Sequence, residues 1–173
     1  MAYNHNNLSE EDLEKLSFQI NSTENSPKIE DVYYKKLQKN VDERGDLTEL
    51  WSKPWSNNEP VAKDVEHVYF NTTHKGVVKG WHVHERTSSQ YTCVLGKMQV
   101  VLIDVRKDSP TYLTVDKFVI GSVNPSFIKI PPGVLKAWKS LEGDSIIVNL
   151  LTSADMTDNF KYDWKCILQD IWM

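Results

Sequence analysis

Apolar and polar residues alternate along most of this chain, and the period of that alternation changes once. Near the N-terminus, "LSEEDLEKLSFQI" places Leu13, Leu16 and Ile20 at helical spacing. Ser9 is a good N-cap residue, and Asp12 stands three positions on, where a capping box has its acid. Leu8 and Leu13 occupy the hydrophobic-staple positions. A helix starting near Ser9 is expected. "NSTENSPK", residues 21–28, is polar and contains Pro27, so it reads as a linker. The expected organisation is an N-terminal helix and linker over residues 1–28, then a main domain over residues 29–173.

From Lys28 the period becomes two. "DVYYKKLQ", "DLTELWS", "VEHVYFNTT", "QYTCVLG", "KMQVVLIDVR", "YLTVDKFVIG", "SFIKIPPG", "LKAWKSL" and "DSIIVNLLT" are short runs rich in β-branched and aromatic residues. Gly, Pro, Asn and Asp separate them about every ten residues, which predicts an all-β sandwich or barrel. "LGKMQ" sets Gly96 and Lys97 between two runs and predicts a tight hairpin. The C-terminal "DMTDNFKYDWKCILQDIWM" alternates less and is expected to form a short helix or a sheet edge.

Composition narrows the class. The 173 residues suit one domain, and 40% apolar with 25% charged residues is ordinary for a globular chain. A net charge of -4 argues against a nucleic-acid binder. No run of about eighteen apolar residues is present, so no membrane-spanning helix is expected. "MAYNHNNLSEED" is polar and acidic, unlike a secretory signal, so a cytoplasmic location is expected. Cys93 and Cys166 are too few for a disulfide framework, and Cys93 reads as a small core residue.

The candidate chemistry lies in "GWHVHERTSSQYTCVLG". If "GWHVHER" enters a strand, His82 and His84 point to one face. Two such imidazoles can share a metal, aim at one pocket, or form a structural pair. Gly76, His82-x-His84, Gln90 and Gly96 nearly fit the first motif of the cupin superfamily, which usually has Glu where Gln90 stands. In "PPGVLK", Lys136 takes the place of the second motif's histidine. A cation in place of a neutral nitrogen ligand disfavours a metal, and no cofactor is expected. Trp81 would point away from His82 in a regular strand, and His74 in "TTHKG" reads as exposed.

"DERGDLTELW", "NTTHKGVVKGWHVH", "VLIDVRKDSPTY" and "IKIPPGVLKAW" occur in order and resemble motifs of the dTDP-4-dehydrorhamnose 3,5-epimerase family, the RmlC-like cupins. The resemblance implies a β-jelly-roll homodimer that binds a dTDP-sugar inside the barrel. It implies that Arg44 meets the phosphates, that Lys79 stands at a pocket arginine, and that Glu49 matches a family glutamate. It makes His82 the base that removes a proton beside a keto group. The family's enolate-stabilising Lys, near the start of the next strand, falls on Thr92, and its acid Tyr falls on Asn149. The family's Asp that orients the base lies in a C-terminal segment with no counterpart here. "GWHVHER" also resembles the H-x-H motif of dTDP-sugar 3,4-ketoisomerases, which would give His84 a role as partner acid.

These readings converge on a cupin jelly roll acting as an isomerase on a nucleotide-linked 4-keto-6-deoxy sugar, in polysaccharide or deoxysugar biosynthesis. His82 and His84 would be catalytic, with Arg44, Glu49, Lys79, Gln90, Thr92, Lys136 and Asn149 binding substrate. The alternatives are a non-catalytic cupin that binds a nucleotide sugar or glycan, and a 3,4-ketoisomerase.

Overall fold

The computed structural model describes residues 9, 11–12, 17–18, 26–61 and 64–173. Within them the strands are β1 (Ser17–Phe18), β2 (Tyr33–Lys36), β3 (Lys39–Asp42), β4 (Gly45–Thr48), β5 (His67–Thr73), β6 (Val78–Val83), β7 (Ser89–Leu95), β8 (Lys97–Asp104), β9 (Thr114–Gly121), β10 (Ser126–Ile130), β11 (Val134–Ser140), β12 (Ser145–Leu151) and β13 (Phe160–Lys161). A one-turn helix α1 (Trp55–Asn58) interrupts them, and three 3-10 turns lie in the tail. One sheet has the order β1-β9-β8-β11-β6-β13 and the other β2-β10-β7-β12-β5. β3 and β4 form a separate two-stranded hairpin. This is the sandwich expected from the spacing of the strand runs, in the jelly-roll form that the resemblance implies.

The sheets pack through Met98, Val100, Leu102, Phe118, Ile128, Ile130 and Ile147, which form one continuous core. The six-stranded sheet also buries its outer face. Trp81, Val83, Val101, Ile103, Val115, Leu135 and Ala137 pack there beneath Ile167 and Trp172 of the tail. Trp81 and Trp172 meet with centroids 5.7 Å apart. Two buried faces explain why "VVLI" in β8 is apolar without interruption. Losing a buried indole such as Trp81 would cost about 3–5 kcal/mol.

Two local expectations are corrected. Gly96 is not a hairpin turn, because β7 pairs with β10 and β12, whereas β8 pairs with β9 and β11. The chain crosses between sheets at Gly96, with φ of 74°. A Cβ there would lie 2.5 Å from the Ser145 hydroxyl, so glycine is required for both its φ and its contacts. At the N-terminus, Ser9 and Asp12 do exchange capping-box bonds, at 3.0 and 3.1 Å. Leu8, Leu13, Leu16 and Ile20 lie outside the described residues. Ser17–Phe18, expected to be helical, is instead a parallel strand on the edge of β9. Glu11 and Asp12 are helical, whereas the free edge of β9 takes Ser17–Phe18 into the sheet. The tail fulfils both its alternatives, with β13 as an edge strand and 3-10 turns around it.

Candidate active site

β6 and β11 run antiparallel, with Lys136 directly opposite His82. Their register then slips, and Trp138 pairs with Lys79. Three steps on β6 thus span two on β11, which is a β-bulge. Gly80 sits within it at φ of 138°, and a Cβ there would come within 2.4 Å of the Ala137 Cβ. Strict alternation would put Lys79 and His82 on opposite faces. The bulge turns both inward, together with Lys136 and Trp138, while Trp81 stays on the outer face as expected.

Inside the barrel, the His82 ring stacks on Trp138 with centroids 5.6 Å apart. Trp138 in turn meets Tyr91 edge-on and donates from Nε1 to the Thr73 hydroxyl at 2.9 Å. His84, one residue beyond β6, is buried. Lys79 Nζ donates to Asn71 Oδ1 at 2.5 Å and to the Thr72 carbonyl at 2.6 Å. Across the barrel, Asn149 faces in beside Tyr91, and its Nδ2 donates to the Tyr69 hydroxyl at 2.8 Å.

Burial and like charge shape the titration of this pocket. Desolvation, then the charge of Lys136, pull both His82 and His84 down to about 4, so both rings are neutral at neutral pH. A hydrogen bond with the Asp158 backbone and the Asp158 charge partly oppose this at His84. Lys136 is completely buried, and desolvation pulls it down to about 7 against the nearby Asp158 charge. Asp158 itself is pushed up by burial. Hydrogen bonds from Thr87 and from the Arg86 and Glu85 amides outweigh that and leave it below the usual carboxylate range.

The structure brings together His82, His84, Lys79, Lys136 and Asn149 of the residues singled out in the sequence. Gln90 and Thr92 are placed elsewhere. Both are buried, but they alternate with Ser89, Tyr91 and Cys93 and lie on the outer face of β7. Thr92 stands opposite Phe127 and lines a small cleft with Leu50 and Lys39. The residue at the start of β7 that faces inward is Ser89, whose buried hydroxyl has no hydrogen-bond partner among the described residues. Arg44 is exposed at the tip of the β3–β4 hairpin and pairs with Asp42 at 2.5 Å, and Glu49 is also exposed. His74 is exposed and meets Asp144 at 2.9 Å. Cys93 is buried, and desolvation pushes its thiol up to about 11, which suits a core residue and not a nucleophile. No group of three His, Cys, Asp or Glu side chains among the described residues could hold a metal ion.

Two pocket residues escaped the sequence reading. Asp158 supplies a carboxylate from the tail, where none was expected. Its Oδ atoms accept from the Glu85 and Arg86 amides at 3.0 and 3.1 Å and from the Thr87 hydroxyl at 2.6 Å, pinning the loop after His84. Tyr69 supplies a phenol from β5. Its signal was present, since Tyr69 alternates with the exposed Val68 and Phe70, but only the pairing of β5 with β12 brings it to Asn149.

A jelly roll whose sheets enclose neutral histidines, lysines and a phenol is a cupin with its polar site inside the barrel. The chain belongs to the dTDP-4-dehydrorhamnose 3,5-epimerase family, whose model matches residues 26–167. It is 36% identical over 129 residues to the probable low-salt glycan biosynthesis epimerase Agl13 of Haloferax volcanii, covering 73% of this chain and 81% of that protein. It is 29% identical over 140 residues to the spore coat polysaccharide biosynthesis protein SpsL of Bacillus subtilis, covering 79% and 90%. Among solved structures, ChmJ, a 3'-monoepimerase from Streptomyces bikiniensis in complex with dTDP-quinovose, aligns with a TM-score of 0.74 at 22% identity, over 80% of this chain and 73% of that one. NovW, a 4-keto-6-deoxy sugar epimerase from Streptomyces spheroides, aligns with a TM-score of 0.74 at 18% identity, over 81% and 73%. These structural likenesses establish the fold.

Proposed function

We propose that this protein epimerises a dTDP-4-keto-6-deoxyhexose beside its keto group, in the biosynthesis of a glycan or polysaccharide. The observation that carries this is His82. It is held neutral by burial, stacked on Trp138, and turned into the barrel by the bulge at Gly80. A neutral imidazole can take a proton from the carbon next to the C4 carbonyl. Tyr69, on the facing sheet, is the proton donor for the other side of the sugar, oriented by Asn149. His84 is neutral too, which makes it a poor general acid at neutral pH and suits it to hydrogen bonding.

Lys79 faces the diphosphate. Arg44 does so from the β3–β4 hairpin of a second copy, in a homodimer that completes each pocket. Exposed apolar residues support such pairing: Val41 and Leu47 on the hairpin, and Val68 and Phe70 on the outer face of β5. Light scattering on the purified protein should give twice the chain mass.

The test of function is solvent exchange. In D2O, the protein should replace the C3 or C5 hydrogen of dTDP-4-keto-6-deoxyglucose with deuterium, read by proton NMR. His82→Asn should slow this about 1,000-fold. Binding without exchange would leave a non-catalytic cupin. A carbonyl that moves to C3 would identify a 3,4-ketoisomerase using the same histidine pair.

A further inference from the structure

Lys136 is the one lysine buried among the described residues, with no exposed surface at all. Its Nζ has no hydrogen-bond partner there. It projects from β11 into the barrel, with His82 opposite on β6 and apolar Leu102 opposite on β8. Val134, two residues back on the same face, belongs to the apolar core. The charged and titratable groups that face it are His82 and His84 from β6 and its extension, and Asp158 from the tail. Asp158 is already engaged by three donors from Glu85, Arg86 and Thr87. An amine buried without a partner destabilises a fold unless something outside the fold completes it.

We propose that Lys136 is a catalytic residue whose ammonium stabilises the enolate oxygen formed when His82 removes the proton. This rests on the epimerase reading above. In that step the C–H proton moves to a ring nitrogen of His82. The C–H electron pair becomes the C=C bond of the enolate, and the carbonyl π pair moves onto O4. Lys136 donates a hydrogen bond to O4 and balances its charge. Reprotonation of the carbon from the opposite face by the Tyr69 hydroxyl draws the electron pair back from O4 and releases Lys136. His82 then gives its proton to solvent and the Tyr69 phenolate takes one up, which restores the starting states. The interaction strengthens as charge develops, so it favours the transition state over bound substrate. Burial tunes the amine to about 7, near neutrality, so an approaching oxyanion suffices to keep it charged.

Lys136→Met tests this, because Met fills similar volume without the amine. Wild type must first exchange deuterium into dTDP-4-keto-6-deoxyglucose. If it binds the sugar without exchange, the epimerase reading fails, and this inference falls with it. If wild type exchanges, Lys136→Met should lose about 100-fold or more in rate, with sugar affinity within a few-fold. Its thermal midpoint should rise by about 5 °C, since an uncompensated buried amine is gone. In wild type, kcat/KM should rise as His82 loses its proton near pH 4 and fall as Lys136 loses its own near pH 7. Only the alkaline limb should vanish in the variant. An exchange rate within about 3-fold of wild type, or a lowered midpoint together with an unchanged pH profile, would overturn the assignment. So would a borohydride-trapped sugar adduct on Lys136, which would make it an imine-forming nucleophile instead.

Discussion

Two buried cations in this barrel have opposite surroundings. Arg106, just after β8, is matched group for group. Asp104, fully buried, accepts from its Nε and Nη2 at 2.9 Å and from its amide at 3.0 Å. The Ser109 and Thr111 hydroxyls complete the carboxylate at 2.6 and 2.7 Å. Burial pushes Asp104 up, yet these bonds leave it below the usual carboxylate range, and Arg106 is held above its ordinary value. Lys136, buried more deeply still, has no such partner. The first cluster ties down the loop between β8 and β9, and through the Glu30 carbonyl it also ties down the start of the domain. The second leaves a donor unsatisfied at the centre of the site. Polar groups buried for stability are satisfied within the fold, whereas those buried for chemistry await the substrate.

The largest effect that separates the two clusters is on stability. Asp104→Ala strands Arg106 and two hydroxyls, and should cost about 3–5 kcal/mol in chemical denaturation. Lys136→Met should move the other way. A loss at Asp104 below about 1 kcal/mol would erase the contrast, because a buried pair that matters must cost more than a surface one.

A smaller effect comes from pH. His82 and His84 fall from 6.5 in the unfolded chain to about 4 in the fold. The unfolded chain therefore takes up protons first. The stability that the neutral rings contribute is complete above pH 6.5 and drains away as pH falls toward 4. Allowing for partial solvent access, each ring should account for about 2 kcal/mol. Denaturation at pH 7.5, 5.5 and 4.5 should show this fall, and a His82→Asn, His84→Asn double variant should show a flatter one. Equal slopes would mean that the rings are not desolvated.

The smallest effect lies outside both clusters. His74→Ala removes an exposed hydrogen bond with Asp144 and should leave the denaturation midpoint unchanged, since solvated polar contacts contribute little.

The strands were legible because alternation and turn residues mark them, and β5, β7, β8, β9 and β12 lie where the apolar runs predicted. His82 and its inward direction were legible from the H-x-H spacing. Pairing partners were not. Gly96 reads as a hairpin on local chemistry, and only the sheet order shows it to be a corner between layers. Thr92 was matched to the family's lysine through "SQYT", and the strand's period of two puts it on the outer face while Ser89 and Tyr91 face in. Lys79 would have been misplaced by strict alternation, because a bulge leaves no mark in sequence beyond a glycine. Asp158 and Tyr69 reach the pocket by long-range contacts, from the tail and from β5, which no local pattern encodes.

The most direct measurement is the titration of Lys136 itself. With lysine labelled at Cε, wild type should show one resonance, absent from Lys136→Met, that titrates near pH 7. A Lys136 resonance that titrates near 10.5, the ordinary lysine value, would contradict the account, because the amine would then be solvated or paired and not poised for a charge that forms only during reaction.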